Sequence, residues 1–254
     1  MENKPDNMIF KTKIYELIRI ITFPFMPALL GVVRKDVKTL IHGMKTSPKI
    51  LDVGGRKSPY TIGLPISITL LDVPRETELQ KNLNLGITDQ ELLNIKKTRS
   101  NISELILEDM TETSLKSESF DAVICVEVIE HVDKDLLFVE NIHKVIKPGG
   151  WAYFTTPNGD YIKNVLPNYN PDHKRHYEKK QLEQLLLTYF NKVEIRYAVK
   201  TGKYRRMGLP GYTLKRPIRT LKSIFGNFVN KLQSKGLSNS SKGTAHLIAI
   251  GYKD

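Results

Sequence analysis

The sequence predicts an α/β protein with a doubly wound, mostly parallel, seven-stranded sheet, helices on both faces, N-terminal helices and a basic helical insertion. From residue 49 onward, short apolar runs of strand length alternate with longer runs of helical periodicity. Such alternation is typical of parallel sheets covered by helices. The chain of 254 residues, 40 % of them hydrophobic, is long enough for one such domain with additions.

The N-terminal segment, residues 1–48, is predicted to be helical. Its run from Ile20 to Val33 holds fourteen residues without a charge. That length is short of the roughly 20 residues that span a bilayer, and Pro24 and Pro27 interrupt it. We therefore expect a helix pair packed on the domain, with an interfacial membrane segment as the alternative.

The core of the domain is predicted over residues 49–199, and the C-terminal segment 244–254 adds its last strand. Residues 73–102 are polar and weakly helical, and Pro148-Gly149-Gly150 ends a later helix. The predicted strands are 50–53, 66–72, 104–109, 120–126, 151–156, 192–199 and 245–252, and the predicted helices are 133–147 and 178–189.

Acidic side chains stand at the ends of four predicted strands. They are Asp52, Asp72, Asp109 and Glu127. Acids often end strands because turns favour aspartate, but four in succession are harder to explain in this way. In doubly wound sheets, ligands bind beyond the carboxyl ends of the strands, where the strand order reverses. We therefore predict a polar, anionic binding site at this edge of the sheet.

Five motifs occur together at these positions. They are ILDVGG (50–55), ITLLDV (68–73), LILEDM (105–110), FDAVICVEVIEHV (120–132) and IKPGGWAYFTTPN (146–158). In this order and spacing they resemble the class I S-adenosylmethionine-dependent methyltransferases, particularly the small-molecule branch that includes ubiquinone-type enzymes. The resemblance covers residues 49–199 and the last strand. It implies a Rossmann-like sheet and S-adenosylmethionine as the cofactor.

The resemblance also implies roles for the strand-end residues. Asp72 would accept hydrogen bonds from both ribose hydroxyls, and Asp109 would bind the adenine amino group while Met110 packs on its ring. The cleft floor would include Glu127. The methionine end of the cofactor would lie along Asp52, Gly54 and Gly55, since glycine permits a close approach of the backbone.

The first loop departs from the D-x-G-x-G-x-G pattern of that family. Arg56 and Ser58 replace its second and third glycines, and a bulky residue at positive φ would be strained. The alternative is therefore a non-catalytic cofactor-binding or membrane-surface domain. The interval from Asp52 to Asp72 also fits a nicotinamide-dependent enzyme, but the G-x-G-x-x-G fingerprint is absent.

Three histidines are the candidates for a catalytic base, which helps when the methyl acceptor is a hydroxyl. His131 follows Glu130 in a stretch shared with the family, where the favoured role is to orient the turn into the next helix and the catalytic base is the alternative. His173 and His176 lie in a loop rich in Asn and Pro. These two could face the acceptor or, with Tyr177, simply cap the following helix.

The basic insertion is residues 200–243. From Lys200 to Lys242 it holds eleven Lys or Arg residues and no acid, within a net charge of +12 for the whole chain. Apolar residues at helical spacing from Leu221 to Leu232, flanked by cations, favour an anionic membrane surface. A lid packed on the core is the second interpretation. Nucleic acid is disfavoured because aromatic residues are few.

The activity expected is transfer of a methyl group to a small or lipid-linked acceptor, at a hydroxyl oxygen. Cys125 is the only cysteine, so neither an internal disulfide nor a cysteine-based zinc site is possible within the chain, and no metal is assigned. A reducing compartment and the lack of a signal-type start predict a cytoplasmic protein. The basic insertion would allow peripheral attachment to the inner face of the membrane.

Overall fold

The structure, a computed structural model, describes residues 4–44, 47–74, 86–166, 169–210 and 215–254. Its strands are β1 (Lys49–Val53), β2 (Ser67–Asp72), β3 (Ile102–Leu107), β4 (Phe120–Val126), β5 (Ile146–Pro157), β6 (Lys192–Lys200) and β7 (Thr244–Tyr252). Its α-helices are α1 (Lys4–Thr22), α2 (Ala28–His42), α3 (Asp89–Thr98), α4 (Asp135–Val145), α5 (Lys179–Leu187), α6 (Lys203–Gly208) and α7 (Pro217–Gln233).

The seven strands form one sheet in the order β3-β2-β1-β4-β5-β7-β6. Strands β1 to β5 pair in parallel, whereas β7 runs antiparallel to both β5 and β6. The predicted seven-stranded, mostly parallel sheet is therefore confirmed. Its strand order reverses at β1, which lies between β2 and β4, so a ligand site is expected at the carboxyl ends of these strands.

Each face of the sheet has its own hydrophobic layer. Neighbouring strand residues point to opposite faces, so Leu51 packs in one layer and Ile50 in the other. The first layer includes the buried side of α4 and α5, and the second includes Val33 and Val37 of α2. Because both faces are covered, the strands read as nearly continuous apolar runs.

The largest differences from the predicted strand boundaries are at β3 and β5. Strand β3 runs from 102 to 107 rather than from 104 to 109, because Asp109 caps the 3-10 turn that follows by accepting a hydrogen bond from the Thr111 N–H. Strand β5 begins at Ile146, where a helix was predicted to run on to residue 147. The cause is Pro148, which cannot continue a helix and favours an extended residue before it.

The N-terminal helices meet at a sharp bend. Pro24 lies in a short 3-10 turn, Phe23–Phe25, and the axes of α1 and α2 differ in direction by 114°. Among the described residues, no single helix is long and apolar enough to cross a membrane, although this bent pair would qualify by length and composition. The partly polar residues 73–102 contain α3, and positions 75–85 lie outside the described residues.

The basic insertion forms α6 and α7 between β6 and β7, and residues 211–214 lie outside the described part. Helix α7 packs on the rest of the protein through small and polar residues such as Gly226 and Asn227. The second interpretation of this segment, a lid or inserted helix packed on the core, agrees with this packing, but the contact is made by small and polar residues and not by the apolar stripe.

Candidate functional site

A cavity of about 590 Å³ opens at the carboxyl ends of β1, β2 and β4. This volume lies within the range of small-molecule and cofactor sites. Of the sequence-predicted residues, Gly54, Asp72, Asp109, Met110, Glu127 and His131 line it. Further lining residues include Arg56, Val128, Lys134 and Phe138. The structure therefore brings together most of the predicted cofactor residues and one predicted histidine.

Asp72 ends β2 at the wall of this cavity. One carboxylate oxygen accepts a hydrogen bond from the backbone N–H of Val73, at 2.9 Å. The other, Oδ2, is buried without a hydrogen-bond partner among the described residues. Burial raises the pKa of Asp72, and the charge of Arg56 opposes that rise. Because an orphaned buried carboxylate oxygen is costly, this position suits a ligand that donates hydrogen bonds.

The loop after β1 turns at Gly54, whose φ is +68°. A Cβ atom there would lie 2.6 Å from a methyl carbon of Val128, so only glycine fits the conformation and the space. Arg56 and Ser58, which replace the expected glycines, do not have positive φ values. The backbone strain expected at these two positions is therefore absent.

Asp109 and Met110 follow β3 and form the opposite wall. The carboxylate of Asp109 accepts a hydrogen bond from the backbone N–H of Thr111, at 2.8 Å, and begins a short 3-10 turn. Met110 is 2 % exposed and packs in the hydrophobic layer beneath. The exposed Asp109 carboxylate and the apolar Met110 side chain therefore give this part of the cavity one polar and one apolar wall.

Glu127 follows β4 and adopts a positive φ of 56°, which is uncommon for a residue with a side chain. Its backbone N–H donates to the Thr155 carbonyl, and its carboxylate accepts from the Thr155 hydroxyl at 2.8 Å. The same oxygen lies 3.2 Å from Nδ1 of His246, whose Nε2 accepts from the Arg205 guanidinium at 3.2 Å. Strain held by surrounding structure in this way is typical of functional sites.

Burial raises the pKa of Glu127, but the facing groups outweigh it and hold the pKa below its ordinary value. Those groups are His246, Thr155 and Arg205. Sequence reasoning missed His246 and Arg205, which belong to the last strand and the basic insertion. The only local signal was a single polar residue, His246, inside the apolar run AHLIAIGY.

Asp52 and Gly55 are not among the residues that line the cavity. The Asp52 side chain lies behind the loop, where it accepts hydrogen bonds from the Tyr60 and Ser58 hydroxyls. Its second oxygen is 3.8 Å from the buried Arg99 guanidinium. A Cβ at Gly55 would be 2.2 Å from the Asp52 carboxylate carbon. Both residues thus support the loop from behind in this structure, and their cofactor contacts remain a prediction.

We expect Asp52 to make folding stability depend on pH. Burial raises its pKa from 3.8 to about 6, partly opposed by Arg99. Between pH 4 and 6 the folded protein holds this proton and the unfolded chain does not, so the free energy of unfolding falls by up to about 3 kcal/mol as pH rises. The Asp52→Asn variant lacks this titration. Denaturant unfolding of both proteins across this pH range tests the prediction, with Asp254→Asn as the control. If the free energy of unfolding of Asp52→Asn changed with pH in parallel with that of the unchanged protein, the prediction would be wrong.

His131 stands at the mouth of the cavity with a defined tautomer. Its Nδ1 lies 3.1 Å from the Asp172 carbonyl oxygen, and because a carbonyl only accepts, Nδ1 carries the proton. The lone pair is therefore on Nε2. Burial lowers the pKa of His131, so the ring is neutral at pH 7. A neutral imidazole with one fixed N–H and one lone pair is suited to accept a proton.

His173 and His176 form a chain beside His131 and are not among the cavity-lining residues. His176 donates from Nδ1 to the Ile162 carbonyl, at 2.7 Å, so its Nε2 accepts from Nδ1 of His173, also at 2.7 Å. The rings of His131 and His173 meet edge to face at 4.8 Å. Burial and the two neighbouring histidines lower the pKa of His173 to about 4. His173 is therefore a weaker base than His131.

Glu130 lies beneath these rings and is fully buried. One of its carboxylate oxygens and one ring nitrogen each from His131 and His173 lie within 4.8 Å of one another. Burial, strengthened by the charge of Glu127, holds the pKa of Glu130 well above its ordinary value. The three side chains therefore form one titratable cluster beside the cavity.

Comparisons with known proteins show similarity to methyltransferases. A family described as a methyltransferase domain matches residues 83–154. The ubiquinone biosynthesis O-methyltransferase of Paraburkholderia phymatum is 28 % identical over 149 residues, which are 53 % of this chain and 60 % of that protein. The chain thus aligns with about three fifths of the length of that relative.

Two of the similar solved structures cover most of this chain. A SAM-dependent methyltransferase from Archaeoglobus fulgidus is 16 % identical with a TM-score of 0.56, covering 88 % of this chain and 94 % of its own. Phosphoethanolamine N-methyltransferase 2 of Haemonchus contortus, in complex with S-adenosyl-L-methionine, is 14 % identical with a TM-score of 0.53. That match covers 87 % of this chain and 52 % of the other. The chain therefore has the fold of S-adenosylmethionine-dependent methyltransferases.

The predicted resemblance to this class is confirmed, and S-adenosylmethionine is supported as the cofactor. The residues of the cavity fit such a ligand. The orphaned oxygen of Asp72 suits a ribose diol, and the close turn at Gly54 lets backbone approach the ligand. The residue-by-residue contacts with the cofactor remain predictions.

Proposed function

We propose that this chain, which has the fold and the domain signature of S-adenosylmethionine-dependent methyltransferases, transfers a methyl group to a hydroxyl oxygen of a small or lipid-linked acceptor. The observation that carries the proposal is the unpartnered Oδ2 of Asp72 in a cavity at the strand-order reversal. Ligands bind at this point in doubly wound sheets. The name of the Paraburkholderia phymatum relative supports the choice of an oxygen acceptor.

The cavity residues divide the work of holding the cofactor. The bound cofactor would supply an electrophilic methyl group on a sulfonium. Asp72 accepts ribose hydroxyls, Gly54 admits the backbone approach, and Asp109 with Met110 forms the adenine slot. Glu127 is kept ionised by His246 and Arg205. Its negative charge in the cavity would attract the positively charged sulfonium of the cofactor. Most of the acceleration then comes from holding the acceptor in line with the methyl group.

His131 removes the proton of the acceptor hydroxyl in this proposal. It lines the cavity, its Nδ1–H is fixed on the Asp172 carbonyl, and its Nε2 carries the lone pair. Proton uptake at Nε2 leaves a cation that the nearby Glu127 charge stabilises. His173 packs edge to face against the His131 ring and is itself hydrogen-bonded to His176, so both are positioning residues.

Labelled methyl transfer tests the proposal. The purified protein is incubated with S-adenosylmethionine carrying a ¹³C-methyl group and with matched pairs of hydroxylated and amino-substituted aromatic acceptors. We expect a labelled methyl ether from the hydroxylated members and little product from the amines. Label on nitrogen would contradict the oxygen acceptor. Cofactor binding without transfer to any acceptor in a metabolite or lipid extract would favour the non-catalytic alternative.

A further inference from the structure

Helix α7 buries its polar face and exposes its apolar face, which is the reverse of an ordinary surface helix. Its buried residues are small or polar: Ser223, Gly226, Asn227 and Asn230. Its apolar residues at positions three or four apart instead face outward, each 48–71 % exposed: Ile218, Leu221, Phe225, Phe228 and Leu232. A helix normally buries its apolar stripe against the core. A contiguous exposed stripe of this kind marks a surface that contacts something else.

Side-chain hydrogen bonds from the buried polar face of α7 fix the orientation of this helix. The Ser223 hydroxyl donates to the Gly208 carbonyl at 2.9 Å, and the Asn230 amide donates to the Lys200 carbonyl at 2.7 Å. The Asn227 amide donates to the Phe25 carbonyl at 2.9 Å. Turning the helix to bury its phenylalanines would leave these carbonyls without their donors, at a cost for each.

The apolar surface extends beyond α7. Phe25, in the turn that Asn227 holds against α7, is itself 42 % exposed. Helix α1, which leads into this turn, carries a second exposed stripe at helical spacing, formed by Ile14, Leu17, Ile18 and Ile21. We call Phe25 and the five outward apolar residues of α7 the apolar face.

Positive charge surrounds the apolar face. Arg219 and Lys222 are exposed beside the stripe, and the whole segment from Lys200 to Lys242 contains no acid. At the C-terminal end of α7 an open cavity of about 1130 Å³ is lined by Lys235 and by Lys35 and Lys38 of α2. These three lysines form no ion pair with any residue in the described ranges.

The other charged groups of that cavity are already paired or directed elsewhere. Its one acidic lining residue, Asp36, forms an ion pair with Arg196 and accepts from the Tyr153 hydroxyl. Arg34 donates to the carbonyls of Tyr60 and Ile62. The fourth lysine of the lining, Lys231, donates to the carbonyl of Pro24. The three lysines are thus the groups left to receive an anion, at one end of an exposed apolar stripe.

We propose that the apolar face docks on an anionic phospholipid bilayer, with a lipid headgroup phosphate received by Lys35, Lys38 and Lys235. An apolar stripe bordered by cations is the signature of a helix that lies in the membrane interface. Anionic lipid surfaces attract each nearby Lys or Arg. Charge complementarity therefore selects a bilayer over a neutral apolar partner.

The docking surface is connected to the candidate active site. Arg205 of α6, the other helix of the insertion, donates to His246, and His246 contacts Glu127 at the cavity. Docking would therefore hold this wall of the cavity at the membrane, where a lipid-linked acceptor resides. The docking itself does not rest on the proposed methyl transfer, since it involves none of the cofactor-binding residues.

Vesicle co-sedimentation of the full chain tests the proposal. The vesicles are phosphatidylcholine alone or with about a third phosphatidylglycerol, at low salt and at 1 M salt, where the screening length falls to about 3 Å. We expect pelleting with the anionic vesicles at low salt only. The Phe225→Ser/Phe228→Ser variant should lower partitioning at least about tenfold, and Lys38→Glu/Lys235→Glu by about tenfold or more.

Matched controls separate docking from general charge and folding effects. Lys116→Glu/Lys180→Glu makes the same charge change at exposed lysines elsewhere and should keep most of the binding. Leu136→Ser/Leu187→Ser removes exposed apolar residues of α4 and α5 and should also bind. Cofactor titration of every variant should match the unchanged protein, which shows that the fold is intact.

Three outcomes would overturn the proposal. The first is no pelleting, or pelleting that the control pair lowers as much as the lysine pair. The second is a lipid-free dimer by light scattering that the Phe225→Ser/Phe228→Ser variant dissociates, which would assign the face to a second copy of this chain. The third is single-stranded RNA that binds more tightly than the vesicles and depends on the same lysines.

Discussion

Replacing Asp72 by alanine should weaken cofactor binding by about 100-fold or more. In the proposed site its carboxylate accepts two ribose hydroxyls, and hydrogen bonds to a charged group contribute about 1.5–3 kcal/mol each. Without a ligand, Oδ2 of Asp72 is buried and unpartnered, so the variant should keep its folding stability. Isothermal calorimetry with S-adenosylhomocysteine, alongside denaturant unfolding, measures both effects.

The control for this substitution is Asp254→Ala, which removes the same group from an exposed position. It should bind the cofactor product as tightly as the unchanged protein. Equal affinity of Asp72→Ala and Asp254→Ala would show that the ribose assignment is wrong. Loss of affinity together with a large loss of folding stability would point to a structural role for Asp72 instead.

Replacing His131 by alanine should lower kcat by about 10²- to 10⁴-fold, the usual contribution of a general base. Cofactor affinity should change little, because the proposal assigns the cofactor to other residues. Burial lowers the pKa of His131 from 6.5, so its ring stays neutral, and the protein active, to a pH below that value. The rate should fall only under more acidic conditions. A pH–rate profile checks this.

His131→Ala should lose the fall in rate at acidic pH, which is the acidic limb of the profile. His42→Ala, which replaces an exposed histidine on α2, should retain this limb. His173→Ala should keep the limb, because the ring nitrogen that accepts the proton belongs to His131 and its Nδ1–H is held by the Asp172 carbonyl. An acidic limb that persists in His131→Ala would assign the base to another residue. A change confined to KM would indicate a binding role.

Most of the site was predictable because its residues are set by local pattern. An acid directly after an apolar strand must lie at the carboxyl edge of the sheet, which placed Asp72 and Glu127 correctly at the cavity. The same argument placed Asp52 there as well. Yet Asp52 belongs to the interior of β1, so its side chain points into the second hydrophobic layer, where Tyr60 and Arg99 enclose it.

The contacts that the sequence could not reveal join distant segments. His246 meets Glu127 because β7 inserts antiparallel between β5 and β6, a pairing that no local pattern encodes. The orientation of α7 was equally hidden, since an amphipathic helix shows its apolar stripe but not the direction in which it faces. Only the hydrogen bonds of Ser223, Asn227 and Asn230 fix that direction.

A calorimetric titration of the unchanged protein with S-adenosylhomocysteine, with NADH titrated in parallel, measures which cofactor the cavity binds. We expect one site with a Kd in the micromolar range for S-adenosylhomocysteine and no binding of NADH. We also expect S-adenosylmethionine to compete for the same site. If S-adenosylhomocysteine did not bind, or if NADH bound in its place, the cavity between Gly54, Asp72 and Glu127 would not be the site of this cofactor.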